Sequence, residues 1–144
     1  PARGRIIVDS LTGKFRFTLD PLKPLSLPVP CRIFPVENPL GRIKKWPFRN
    51  LGIPEGEELL LQERSTGHIL EGNYSNIFIH TGDVWLTPPA DGRILEGIGR
   101  YRFIQDLRAH GEKIKECSLT EEVLRSGDIF LTNSLRGVFP GILV

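Results

Sequence analysis

Short apolar-rich runs of strand length recur along this chain, and turn-forming residues bound them. Residues 5–9 and 14–18 carry β-branched and aromatic side chains, and Asp9-Ser10-Leu11-Thr12-Gly13 lies between them. That pattern predicts two strands joined by a turn. A third strand is predicted over 31–34. Prolines crowd this region, at positions 21, 24, 28, 30, 35, 39 and 47, and they exclude a helix, because proline lacks the N–H donor and blocks the helical interior. Residues 57–62 read as a strand, 64–67 (Arg-Ser-Thr-Gly) as a hairpin loop and 68–71 as the returning strand. A second hairpin is predicted from 76–80 to 84–87 around Thr81-Gly82-Asp83, ended by Pro88-Pro89.

The period then changes. Arg100, Phe103, Ile104 and Leu107 recur at i, i+3, i+4 and i+7, which predicts a helix over 98–110 with the arginine contributing its aliphatic stem. Gly111 stands where a glycine ends a helix, and His110 suits the negative last turn. Residues 114–117 read as a strand. Thr120 is placed to cap a short helix running to 125, with Glu121 and Glu122 favourable in its first turn. The last strands are predicted over 128–132 and 138–143. This order is α+β, or mixed α/β, strand-rich with few helices, and it lacks the regular alternation of a Rossmann sheet.

Composition narrows the function. The 144 residues are 25% charged and 40% apolar, as expected for one globular domain with a core of its own. A net charge of +2, with no basic run longer than Lys44-Lys45, argues against nucleic acid or an acidic membrane surface as partner. No apolar run approaches the roughly 20 residues of a membrane span, and no signal peptide is visible. Cys31 and Cys117 are the only cysteines, which suits a reduced compartment and a cytoplasmic location better than a disulfide scaffold. The chain has no methionine and begins at Pro1, so a processed product or a fragment is expected. His68, His80 and His110 lack metal-ligand spacing, and no metal site is expected. No serine or cysteine triad is supported. Trp46 and Trp85 read as packing residues.

Four stretches carry candidate chemistry. They are Lys45-Trp46-Pro47-Phe48-Arg49; Leu70 to Phe78 (Leu-Glu-Gly-Asn-Tyr-Ser-Asn-Ile-Phe); Leu86-Thr87-Pro88-Pro89 with Asp91 to Arg100 (Asp-Gly-Arg-Ile-Leu-Glu-Gly-Ile-Gly-Arg); and Asp128 to Ser134 (Asp-Ile-Phe-Leu-Thr-Asn-Ser). Taken alone, Lys44 and Lys45 read as solvated charges. Glu71 ends a strand predicted to be buried, where a carboxylate is costly without a cationic partner. Gly97-Ile98-Gly99 opens the predicted helix, whose free N–H groups make an anion site. Thr132-Asn133-Ser134 ends a strand in a turn rich in hydroxyl and N–H groups.

In order and spacing these four stretches, from Ile43 to Ile142, resemble the class IV aminotransferases and aminodeoxychorismate lyases, the fold-type-IV enzymes that use pyridoxal 5'-phosphate (PLP). The resemblance implies the C-terminal, cofactor-binding domain of the D-amino-acid aminotransferase-like fold. It implies that Lys45, with Arg49 four positions on, bonds to the cofactor and moves the substrate's Cα proton. Glu71 becomes the partner of the pyridine nitrogen, and Leu95 packs on the ring. Gly97, Ile98, Gly99, Thr132, Asn133 and Ser134 hold the phosphate, and Ser75 and Asn76 complete the cofactor site. Asn133-Ser134-Leu135-Arg136-Gly137 is more typical of the lyases than of the aminotransferases. The implied reaction is cleavage of 4-amino-4-deoxychorismate to 4-aminobenzoate and pyruvate by a homodimer. An aminotransferase acting on an amino-acid substrate, or a non-catalytic member of the fold, would keep the same cofactor residues.

The chain departs from the family's pattern at three places. Gly99 stands where threonine is usual. The segment from Lys45 to Glu71 is short, with a helix reduced to residues 50–56. Nothing matches the family's N-terminal domain.

Overall fold

A computed structural model describes residues 2–37 and 53–144. Lys45 and Arg49 fall in 38–52, outside the described residues, as does Trp46. The first two strands, β1 (Ala2–Val8) and β2 (Phe15–Pro21), pair antiparallel as a sheet of their own. Asp9 sets the turn between them. Its Oδ1 accepts the Leu11 N–H at 2.9 Å and the Thr12 N–H at 3.1 Å, and Gly13 follows with a φ of +67° that glycine adopts freely. Ile6, Phe15, Phe17 and Leu19 on this hairpin are exposed.

The other strands form one mixed sheet. These are β3 (Val29–Val36), β4 (Glu58–Glu63), β5 (Ile69–Gly72), β6 (Asn76–His80), β7 (Trp85–Thr87), β8 (Ile114–Glu116), β9 (Asp128–Asn133) and β10 (Gly137–Leu143). Their order is β5-β4-β3-β10-β9-β6-β7-β8. β3 pairs in parallel with β4 and with β10, and β7 in parallel with β8; the other neighbours are antiparallel.

Connectivity forces this sheet to curl. Only residues 73–75 separate β5 from β6, yet four strands lie between them in the sheet order. The short link therefore closes the mouth of a half-barrel. A second tie joins the two edges, where the Ile69 N–H of β5 donates to the carbonyl of Leu119, beyond β8, at 2.8 Å. Val29, Cys31, Leu60, Ile77, Ile79, Ile129, Leu131 and Phe139 fill the core inside the curl.

Alternation along β6 and β9 then fixes where the helix packs. Ile77 and Ile79 belong to the core with their partners Leu131 and Ile129, so Phe78 and Phe130 face the other way. On that side lies α1 (Ile98–Ala109), with the Phe103 ring edge-on to Phe78 at 5.0 Å and to Trp85 at 5.1 Å. Trp85 also meets Phe130 and stacks on His80, so it is a packing residue, as the sequence implied. Arg100, Ile104 and Leu107 are buried on the predicted helix face. Gly111 ends the helix with φ +75°. In α2 (Glu121–Arg125) the Thr120 side chain caps the Val123 N–H, as expected. The reduced helix expected over 50–56 is not found in its described part. The chain makes a turn there instead, closed by the Glu57 N–H on the Pro54 carbonyl at 3.2 Å.

Candidate functional site

The link that closes the half-barrel is also the stretch with the candidate chemistry. Glu71, near the end of β5, is 6% exposed. Its Oε2 accepts the Leu95 backbone N–H at 3.1 Å and the Asn76 Nδ2 at 3.3 Å. The same Asn76 nitrogen donates to the Leu95 carbonyl at 2.8 Å. A buried carboxylate is costly unless N–H donors surround it. Glu71 is therefore a deliberate feature of the fold and not the exposed end of a strand. Leu95 contributes its backbone as well as its side chain, since its N–H and C=O brace Glu71 and Asn76.

Asn76 and Thr132 are register partners at the end of the β6–β9 ladder, on the side that faces α1. The start of α1 packs directly against them. A Cβ at Gly97 would collide with Asn76 Oδ1, and a Cβ at Gly99 would stand 2.9 Å from the Asn133 carbonyl carbon. Only glycine permits this approach. No side chain caps the helix at Gly97, and its first turn holds no acidic residue, so its N–H groups and positive end remain available to an anion. Asn133 Nδ2 donates to Ser75 Oγ at 3.2 Å, tying the turn after β9 to the link after β5.

These elements enclose a cavity of about 310 Å³ lined by Glu71, Ser75, Asn76, Leu95, Gly97, Ile98, Gly99, Thr132, Asn133 and Ser134. Every predicted site residue among the described residues thus lines one cavity, and Lys45 lies outside the described residues. Two buried polar atoms on residues of its wall, Thr132 Oγ1 and Asn73 Nδ2, have no hydrogen-bond partner among the described residues. A ligand in the cavity could supply a contact to such an atom. The arrangement presents a buried carboxylate, and with it the N–H groups and hydroxyls of the helix start and the turn. That polarity suits a ligand with a cationic edge and an anionic group.

Sequence reasoning missed Asn73, Tyr74 and Glu58. Asn73 continues the β4 ladder, since its Oδ1 accepts the Leu59 N–H and its own N–H donates to the Leu59 carbonyl, each at 2.9 Å. Glu58, 4% exposed, accepts the Tyr74 N–H at 2.7 Å. Burial first, and then the negative charge of Glu58, push the neighbouring Cys31 thiol up to about 12. A charged residue near the start of a strand gives no such signal in sequence. Among the described residues no group of histidine, cysteine and carboxylate side chains could hold a metal ion.

The family model for class IV amino-transferases matches residues 55–142. The chain belongs to this family. Its sequence relatives include branched-chain amino acid aminotransferase 1, mitochondrial, of Humulus lupulus, 33% identical over 56% of this chain and 21% of that protein. As a class IV chain it has the expected structural neighbours. The fold IV transaminase of Curtobacterium pusillum superposes with a TM-score of 0.75 at 18% identity, over 90% of this chain and 51% of that one. The 4-amino-4-deoxychorismate lyase of Pseudomonas aeruginosa gives 0.67 at 19% identity, over 80% and 47%. At such identities these two show the fold alone. An aminotransferase of Brucella abortus bound to the cofactor PLP is 32% identical over 62% of this chain and 32% of that one, with a TM-score of 0.57. The class IV chain described here therefore spans about half the length of the first two structures. The strand-rich half-barrel with few helices is the fold expected from the sequence.

Proposed function

We propose that this chain holds PLP in the 310 Å³ cavity and serves a lyase that cleaves 4-amino-4-deoxychorismate to 4-aminobenzoate and pyruvate. The observation that carries the cofactor reading is convergence. Residues 71–76, 95–99 and 132–134 are distant in sequence, yet they line one cavity with a buried carboxylate and uncapped helical N–H groups.

In this reading Glu71 would pair with the pyridine nitrogen and favour its protonated form, and Leu95 would pack on the ring. The N–H groups at Ile98 and Gly99, with Thr132, Asn133 and Ser134, hold the phosphate. The Thr132 hydroxyl would gain there the partner it lacks among the described residues. Ser75 and Asn76 keep the turn and Glu71 in place. When bound, PLP would supply an electron-accepting ring that eases loss of the substrate's proton. Lys45 anchors the cofactor and carries that proton. The homodimer implied by the family resemblance and the cytoplasmic setting suggested by the two cysteines complete the proposal.

The preference for a lyase rests on Asn133-Ser134-Leu135-Arg136-Gly137. A second reading, an aminotransferase, draws on the names of the curated relatives, which include a D-alanine aminotransferase of Bacillus licheniformis at 29% identity.

The test is a visible spectrum of the purified chain mixed with PLP, with Lys45→Ala as control. A yellow band that borohydride fixes to the protein, and that the variant lacks, supports the cofactor and the lysine together. Release of 4-aminobenzoate then argues for the lyase, and amino-group exchange between an amino acid and a keto acid for the aminotransferase. A folded chain that never takes up PLP overturns the proposal.

A further inference from the structure

A second cavity, of about 320 Å³, adjoins the first, and Tyr74, Asn133 and Ser134 line both. Its charged lining consists of Arg3, Glu57, Glu58 and Arg136. Three of these already meet a partner in the fold. Glu57 accepts Arg32 Nε at 2.8 Å, Glu58 accepts the Tyr74 N–H at 2.7 Å, and Arg3 faces Asp20 at 3.8 Å. Arg136 is different. It is half-buried, its guanidinium donates to the Lys23 carbonyl at 2.8 Å, and among the described residues no carboxylate stands within ion-pair distance of it. A guanidinium has five N–H donors, so Arg136 keeps donors for a ligand.

The wall of the first cavity fixes its place. Asn133 Oδ1 accepts the Arg136 N–H at 2.8 Å and the Leu135 N–H at 3.1 Å, while Asn133 Nδ2 is tied to Ser75. Leu25, Val29 and Phe139 give the second cavity an apolar side. The combination is an apolar chamber with one guanidinium that meets a backbone carbonyl but, among the described residues, no carboxylate, next to the first cavity.

We propose that Arg136 binds a substrate carboxylate remote from the reacting amino group, so that the chamber accepts a cyclic acid carrying a second carboxylate. The inference rests on reading the adjoining cavity as the cofactor site. A purely aliphatic side chain would cover the guanidinium without supplying a carboxylate, which disfavours branched-chain substrates. A carboxylate meets a guanidinium through two parallel bonds, and a lysine or a neutral amide does not reproduce that fit.

The experiment titrates the full chain with isophthalate and with benzoate, followed by calorimetry, with saturating PLP and again without it. The wild type is expected to bind isophthalate about tenfold more tightly than benzoate, the worth of one additional charged hydrogen-bonded contact. Arg136→Gln should bring the ratio close to one while PLP uptake, read from the cofactor's absorbance, stays unchanged. Arg136→Lys should fall between the two. A Gln variant that keeps the preference overturns the proposal. So does a wild type that binds the two acids equally, a result that needs no variant to fold. A preference that survives in a chain unable to take up PLP counts against the cofactor reading alone. Intact PLP uptake with no preference counts against the role of Arg136 alone.

Discussion

Glu71 and Leu95, 24 positions apart, are locked together by a single carboxylate oxygen that accepts the Leu95 N–H at 3.1 Å, with Asn76 donating to both residues. The pair fixes the segment before α1 against the end of β5. Replacing Glu71 by alanine strands a backbone donor at the cavity wall, a loss of about 1–3 kcal/mol. Urea denaturation should show that drop, together with weaker PLP uptake. Glu71→Gln retains an acceptor, so it should stay within about 1 kcal/mol of wild type and take up PLP while turning over more slowly. An alanine variant as stable as wild type would show that the Leu95 amide does not depend on Glu71.

Arg100 and Glu116 form a second long-range tie. The guanidinium, 7% exposed, donates to Glu116 Oε2 and to the Pro88 carbonyl, each at 2.8 Å. The Arg100 hydrogen bond, and less strongly its charge, hold the Glu116 carboxyl below its ordinary value of 4.5. A carboxyl depressed in the folded state contributes its full stabilisation above that ordinary value, and the contribution disappears as pH falls through the depressed one. Glu116→Gln should therefore cost about 1–2 kcal/mol at neutral pH, between the values for exposed and buried pairs. The gap from wild type should close under acid. Thermal melts of the two proteins across that range would check it, and a gap that persisted or widened under acid would contradict the assignment.

Local features of this fold were legible in the sequence because their causes are local. The Asp9 turn, the Thr120 cap and the Gly111 terminus each depend on a few consecutive residues, and each is found where the residue types place it. The strands along β4 to β7 emerge within a residue of their predicted bounds for the same reason. Pairing was not legible. Nothing in residues 29–36 says that β3 lies between β4 and β10, because that neighbourhood is decided by side chains far along the chain. The family resemblance located the cavity wall, since its motifs are contiguous stretches. It did not point to Glu58, and although its stretches include Asn73 and Arg136 it did not reveal their contacts; the partners of the three are Tyr74, Leu59 and Asn133. Those roles exist only once the half-barrel has closed.

The two cysteines should differ in reactivity. Cys31 is fully buried and its thiol is pushed up to about 12, whereas Cys117 is half-buried with no resolved disulfide partner. The thiolate is the reactive species, and at neutral pH Cys31 has almost none. A disulfide-exchange reagent should modify a single thiol rapidly in the native protein and the second only as denaturant unfolds it. Rapid modification of both in the folded state would mean that the β3 end of the core opens easily.

Gly99 offers the sharpest test of how the site is built. Sequence comparison suggests a lost hydroxyl at this position, and hence a weaker phosphate site that threonine would repair. The structure points the other way. A Cβ at Gly99 would lie 2.9 Å from the Asn133 carbonyl carbon, 3.0 Å from its oxygen and 3.1 Å from its Cα. The obstacle is backbone, so a rotamer change cannot relieve it, and either the helix start or the 132–134 turn must move. Overpacking of this kind costs about 1–3 kcal/mol. Here the displacement falls on the elements that line the cavity and on Asn133, which holds both Ser75 and Arg136. Gly99→Ala should lower the melting temperature and weaken PLP uptake. Gly99→Thr should do so at least as strongly, despite its added donor. A threonine variant that took up PLP more tightly than wild type, without loss of stability, would show that the turn yields readily and that the missing hydroxyl is the controlling feature.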